Sequence, residues 1–257
     1  MTSPIAADVI DEALRLSALA DGAGLRMRVM GGVAVALHAN GSLPPSLQRS
    51  YRDIDVIVPR KADRDALRLL VAAGYESNER FNSMTGVHNR LVVYDTVHGR
   101  QLDVFVGEFK MCHALPLAQR LEVDAPTIPL AELLLTKLQV VRLNEKDAGD
   151  IVAIVLGHEL ADHDRDAING DRVASLLAAD WGLWRTTRGS LERTREMLPG
   201  LRLEAAEREL VEQRLVELWE RIEREPKSLR FKARARVGDR TQWYEEPDEI
   251  EHRELGG

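Results

Sequence analysis

Three aspartates and a pair of glycines are the residues of this chain whose types and spacing can do chemistry. Asp53 and Asp55 flank Ile54 at the head of the apolar run Val56-Ile57-Val58, which reads as a buried strand. Side chains alternate along a strand, so both acids project to the same side, roughly 6 to 7 Å apart at the backbone. Two carboxylates at that spacing can hold a divalent metal. A third acid, Asp103, interrupts the otherwise apolar run Leu102 to Val106, and a carboxylate inside such a strand requires a partner or a task. Upstream, Gly31-Gly32 separates a strand, Leu25 to Met30, from a helix starting at Val33. Two residues without side chains therefore sit where backbone amides point outward, which is a place for phosphate.

The elements that must position these groups follow from periodicity. An amphipathic helix is predicted from Ala6 to Leu19, ending near Asp21-Gly22. After the glycine pair and its helix, which runs to Ala39, comes the breaker-rich loop Asn40 to Pro45. The strand Asp53 to Val58 leads to a helix from Lys61 to Ala73, closed by Gly74. Tyr75 to Gly86 is ambiguous. Asn89 to Tyr94 and Arg100 to Val106 read as a hairpin closed across Val97-His98-Gly99. From Pro129 the period becomes helical, with helices at Leu130 to Leu143, Glu145 to Leu156, Asp171 to Leu177, Trp181 to Met197 and Leu203 to Arg224, and no further strands. This gives an α/β (α+β) catalytic part over residues 1–125, a helical part over 126–226 and a charged tail over 227–257. Within that tail, Phe231 to Val237 alternates apolar and basic residues, so an extended conformation would line three cations on one face.

Composition narrows the class. With 44% hydrophobic and 30% charged residues in a chain of 257, a sizeable core can form without staples. The single cysteine, Cys112, excludes an intramolecular disulfide and a Cys-rich zinc site. The first residues carry acids where a secretory signal needs bases, and no apolar run approaches the roughly 20 residues of a membrane span. A cytoplasmic location is expected. Of the net charge of −7, Thr241 to Gly257 contributes −5, leaving a nearly neutral body that can still present a basic face.

The order strand, Gly-Gly, helix, Asp-Ile-Asp strand and later strand with a third Asp resembles the DNA polymerase β-like nucleotidyltransferase superfamily. Leu130 to Arg142 followed by Glu145 to Val152 is similar to the helical half of the AbiEii-type nucleotidyltransferase toxins and their relatives. There a helix Lys and a downstream Arg/Lys-Asp-x-x-Asp run accompany the glycine and Asp-x-Asp motifs. The matching positions here are Lys137, then Lys146-Asp147 and Asp150. The resemblance implies a mixed sheet with flanking helices. It also implies two Mg²⁺ (or Mn²⁺) ions held by Asp53, Asp55 and Asp103, with Asp103 near the attacking hydroxyl. Gly31 and Gly32 would admit the triphosphate of ATP or another NTP, Lys137 would reach its phosphates, and Asp150 would hold Lys137 or another site group. Relatives carry Arg-x-Ser/Thr-x-Asp before the first metal ligand. Arg49 is in register with it, but Tyr51 stands at the hydroxyl position and Ser50 is one residue early, so either can supply the phosphate-contacting hydroxyl.

The activity so implied is transfer of an NMP from an NTP to a hydroxyl. The acceptor is the 3′ end of tRNA if the chain is the toxin of a toxin-antitoxin pair, with a cognate antitoxin as partner, or a small antibiotic-like molecule. A catalytically silent regulatory protein with the same fold is the alternative from another class. Three weaker signals are set aside. His158 and His163 are five apart, which turns them about 140° from each other on a helix and spoils a zinc-protease reading. Trp181 and Trp184 read as core contacts rather than a base-stacking platform. The basic run Lys227 to Arg240 can track RNA or pair with the acidic tail.

Overall fold

The computed structural model describes residues 4–39, 41–83 and 89–246. Asn40, residues 84–88 of the ambiguous stretch and its border, and the acidic end from 247 lie outside the described residues. The N-terminal half orders as α1 (Val9–Gly22), β1 (Arg28–Met30), α2 (Gly31–Ala39), β2 (Ile54–Val58), α3 (Asp63–Ala72), β3 (Glu76–Ser77), α4 (Glu79–Asn82), β4 (Arg90–Asp95) and β5 (Arg100–Val106). Two short strands follow, β6 (Phe109–Lys110) and β7 (Ala114–Leu115). The second half contains α5 (Leu130–Leu138), α6 (Glu145–Gly157), β8 (Leu160–Ala161), β9 (Ile168–Asn169), α7 (Gly170–Ala179), α8 (Trp181–Met197), α9 (Ala205–Arg224) and α10 (Leu229–Ala235). The architecture is thus the mixed α/β sheet followed by helices that the sequence predicts.

The main sheet has the order β1-β2-β5-β4-β3. β2 and β5 run parallel at its centre, and the other neighbours are antiparallel. The predicted β4–β5 hairpin forms, with Asp95 opposite Arg100. Along β5 one set of alternate side chains, Leu102, Val104 and Val106, is apolar and buried. The other set, Gln101, Asp103 and Phe105, is mixed. That division is how an acid survives in a buried strand: it shares a face with polar groups rather than with the aliphatic layer.

Several elements differ from their predicted bounds for identifiable reasons. β1 is three residues long because pairing with β2 covers only Arg28 to Met30. Its free edge is taken by the segment after Asp124, where the Val29 amide donates to the Pro126 carbonyl (2.9 Å) and Ile128 donates to the Val29 carbonyl (3.0 Å). α5 stops at Leu138 instead of Leu143. Asn144 adopts an extended conformation there and caps α6 by accepting from the Asp147 amide (3.0 Å), while the Val140 carbonyl accepts from Ser190 Oγ (2.9 Å). The second half is not free of strands, since β8 and β9 pair in parallel between α6 and α7. The alternating segment at 231–237 does not take the extended conformation that would line its cations up: Ser228 caps a helix there, accepting from the Phe231 amide (3.0 Å), and Phe231 is buried edge-on against Trp184. A 3.6-residue period then keeps Lys232 and Arg236 near one face and turns Arg234 to the opposite side, so the three cations do not share one face.

One continuous hydrophobic core runs from α1 through the sheet to α9, including Leu16, Ile57, Val104, Leu134, Ile151 and Leu218. α2 packs on both α5 and α6, joining the sheet to the helical half. Among the described residues no helix is long and apolar enough to cross a membrane. All four tryptophans lie beyond residue 180, so their fluorescence reports only the helical half. With a shared core, urea unfolding followed by tryptophan emission and by hydrogen exchange of the β2 and β5 amides is expected to give coincident midpoints. Midpoints that separate would show two units of independent stability.

Candidate active site

The central pair of parallel strands sets the geometry. Asp55 of β2 lies directly beside Asp103 of β5 in the strand register, and lateral neighbours in a sheet project to the same face. The two carboxylates therefore share one side of the sheet centre. Asp53 stands just before β2, near enough for its charge to act on Asp55.

Asp55 sits against the glycine turn. Gly31 follows β1 without a connecting residue and has φ +69°, a left-handed conformation that glycine adopts without penalty. A β-carbon there would lie 2.1 Å from Asp55 Oδ2. The helix therefore begins at Gly31, two residues earlier than periodicity suggests, and the glycine admits the carboxylate rather than merely turning the chain. Gly32 is in close contact with another pair: a β-carbon would fall 2.5 Å from Arg49 Nη2 and 2.8 Å from the Tyr51 ring. The Arg49 guanidinium stacks on that ring at 4.6 Å.

A second charged cluster lies behind this turn. Asp150 of α6 is buried and accepts from Arg49 at both oxygens, 2.8 Å at Oδ1 and 2.7 Å at Oδ2. Its Oδ2 also receives Lys137 Nζ of α5 at 2.8 Å, and Asp147 stands 3.7 Å from the same ammonium. One carboxylate thus ties the loop after α2 to α5 and α6. Burial alone would lower the Lys137 pKa, but Asp150, Asp147 and Asp55 outweigh it and the net shift is upward, so the lysine stays charged. Burial raises the Tyr51 hydroxyl pKa, which keeps that group a neutral donor. Ser50 is exposed beside it.

Asp103 is held by two residues that the sequence analysis did not single out. Arg90 of β4 places Nη2 3.0 Å and Nε 3.1 Å from Oδ1, and Gln101 donates to Oδ2 at 2.9 Å. Both follow from strand alternation. Gln101 is two residues from Asp103 on the same strand, and Arg90 is opposite Phe105, diagonal to Asp103. The partners across the hairpin, which the register fixes, carry that signal.

The electrostatic outcome falls on Asp55. Removal from water, then the neighbouring Asp103 charge, push its pKa up to about 7; Lys137 and Arg90 act in the opposite direction, and Asp53 adds a smaller upward effect. Two carboxylates that repel one another so strongly are suited to sharing a divalent cation, which removes the repulsion. Among the described residues, however, no three His, Cys, Asp or Glu side chains converge into a metal-holding group. The chain brings Asp55 and Asp103 together, keeps Asp53 at the edge and joins Arg49, Lys137 and Asp150 in a separate ion cluster. His158 is also accounted for, being edge-on to His38 and 3.4 Å from Asp166.

Two outcomes are expected from this geometry. In the folded chain Asp55 keeps its proton to about pH 7, whereas in the unfolded chain it loses it near the ordinary carboxylate value. Between those values the folded state binds more protons, so stability falls as pH rises through the window and levels off above it. In EDTA, the melting temperature of Asp55→Asn should therefore gain on the wild type between pH 5 and 8, by about 3 °C or more for a chain this size. A constant difference would mean that Asp55 ionises normally. Gly31→Ala should lose about 1–2 kcal/mol from the backbone conformation alone, and more from the carboxylate clash. Because that second part needs the Asp55 side chain, Gly31→Ala should be less harmful in an Asp55→Ala background; strict additivity in a double-mutant cycle would contradict the contact.

No family model matches this chain, and no curated protein matches it. Among solved structures it is similar to the crystal structure of an antigenic nucleotidyltransferase-like protein from Paracoccidioides brasiliensis, with 12% sequence identity and a TM-score of 0.44, over 88% of this chain and 96% of that one. A likeness so distant carries no assignment of fold family or reaction.

Proposed function

We propose that the chain is a nucleotidyltransferase that moves an NMP from an NTP to a hydroxyl-bearing acceptor. The observation that carries this reading is the placement of Asp55 and Asp103 side by side on parallel strands, with Asp55 touching the glycine turn at the N-terminus of α2. In this reading the NTP phosphates lie along Gly31-Gly32, where unpaired amides and the helix dipole favour anions. Lys137 and Arg49 supply fixed positive charge, and Asp150 holds both in position. Mg²⁺ or Mn²⁺ held by Asp55 and Asp103, with Asp53 beside them, would neutralise the triphosphate and ease ionisation of the attacking hydroxyl. Asp103 is the carboxylate assigned to the acceptor side, where it can accept the hydroxyl proton.

A cleft of about 630 Å³ that shares Arg49 and Tyr51 with the contact at Gly32, and has none of the three carboxylates in its lining, bears on the acceptor. Arg49, Arg52, Arg100 and His98 line it, and Asp8 is the one acid among its lining residues. Arg100 and Arg49 are already paired with Asp95 and Asp150, so the exposed Arg52 is the side chain best placed for an incoming anion. This balance favours a polyanionic acceptor such as an RNA end over a cationic antibiotic. The tRNA 3′ end and a toxin role with a cognate antitoxin extend the same reading and rest on the motif resemblance.

One observation favours a catalytically silent nucleotide-binding protein instead: Asp103 is already neutralised by Arg90. Incubation with labelled NTPs, Mg²⁺ and total tRNA or aminoglycosides separates the readings. Label is expected on RNA, with at least about a 100-fold loss in Asp55→Ala and a raised KM for NTP in Lys137→Ala. Label on the aminoglycoside would change the acceptor. No transfer to any acceptor, with Mg²⁺-NTP still bound calorimetrically, would establish the silent reading.

A further inference from the structure

Resting on the nucleotidyltransferase reading, we infer that Arg90 is a resident cation that occupies the metal-facing carboxylate Asp103 and thereby sets how tightly the site takes a divalent ion. Both oxygens of Asp103 are engaged, Oδ1 by Arg90 through Nε and Nη2 and Oδ2 by Gln101. The carboxylate is 4% exposed and the Arg90 side chain 17% exposed, so the pair is largely shielded from competing water. The guanidinium is further fixed over the Phe105 ring at 5.0 Å. Phe105 is opposite Arg90 in the hairpin register, so the same strand pairing aligns the aromatic platform and the acid.

A divalent ion that shares Asp55 and Asp103 meets two obstacles from this arrangement. It must exchange with a charge-assisted contact already made to Oδ1, and it must approach a fixed positive charge within a few ångströms. Asp55 accepts neither of these contacts and is the carboxylate open to metal first. Metal affinity at this centre is then a difference between two cations competing for one oxygen. Removing the resident cation tightens binding of the incoming one. Loss of an ordinary structural salt bridge does the opposite, since it loosens the site.

Mn²⁺ serves as the probe, titrated calorimetrically and by its EPR signal into the full chain without nucleotide. Arg90→Met should bind Mn²⁺ at least about tenfold more tightly than the wild type, and Mn²⁺ should raise its melting temperature by more. Adding Asp103→Asn should cancel the gain. Because Arg90→Met leaves Asp103 buried with Gln101 alone and no opposite charge, and can fail to fold, Arg90→Gln, which keeps a neutral donor, is measured beside it and decides the matter in that event. Folded Arg90 variants that bind Mn²⁺ no better than the wild type would overturn the inference, as would a gain that survives Asp103→Asn. NMP transfer by the wild type together with unchanged Mn²⁺ affinity in the variants would remove only the role of Arg90. Tightened Mn²⁺ binding without any NMP transfer would remove the reaction and leave the competition in place.

Discussion

Two negative charges placed side by side at the centre of a sheet are the constraint to which the surrounding structure responds. Asp55 and Asp103 are lateral neighbours on the two parallel strands, where water is largely excluded. A carboxylate pair in such a place stabilises nothing by itself, and each member makes the other harder to ionise. The protein meets that cost asymmetrically. Asp103 has Arg90 and Gln101 as hydrogen-bond partners at its two oxygens. Asp55 has only a glycine turn at its oxygen and more distant help from Lys137, so burial and repulsion are expressed in its proton affinity. Such division of two acids by environment is found at sites built for catalysis or metal binding.

The positive side of the ledger is organised by a different carboxylate. Asp150 joins Arg49, from the loop after α2, to Lys137 on α5, and it does so from α6. Neither cation would be held in a defined place by apolar packing alone, since long side chains retain their rotamer freedom unless a partner fixes them. Placing Asp150 and Lys137 largely out of water beside the more accessible Arg49 is tolerable because each has a partner at hydrogen-bond distance. Removing Asp150 would free Arg49 toward solvent and leave the covered Lys137 with the more distant Asp147 and Asp55 alone. The apolar contact of α2 with α5 and α6 and this ion cluster are thus two of the links between the halves of the chain. The glycine turn lies between the acidic and basic groups.

How much of this was legible in the residues depended on whether a group acts locally or across elements. Gly31-Gly32, Asp53-Ile54-Asp55 and Asp103 announce themselves through local contrast, small residues at a turn or acids in apolar strands, and the parallel pairing then brings Asp55 level with Asp103. Lys137 was visible for the same reason, as a cation among leucines. Arg90 was not, because an arginine at a strand end is ordinary in every local respect and its meaning comes only from facing Phe105 and Asp103 across the hairpin. Tyr51 is similar: its contact with Gly32 needs a loop to fold back onto the turn. Helix bounds failed where tertiary hydrogen bonds intervened, at Val140 and Ser190, and the alternating segment at 231–237 is not extended because alternation over seven residues is weak beside a capping serine and an apolar anchor for Phe231.

A site with a built-in counter-ion also explains why a carboxylate pair can be folded before any ligand arrives. If both acids were bare, the repulsion that raises Asp55 would fall on both strands and oppose closure of the β2–β5 pairing itself. Arg90 gives one of these acids an opposite charge at hydrogen-bond distance, so the β2–β5 pairing does not carry two unpartnered carboxylates. The backbone positions of Asp55, Asp103 and Gly31 are set by strand register and glycine geometry, so the two carboxylates are placed by the frame itself, and the part left to side-chain conformation is the contact that Arg90 makes from the β4–β5 hairpin.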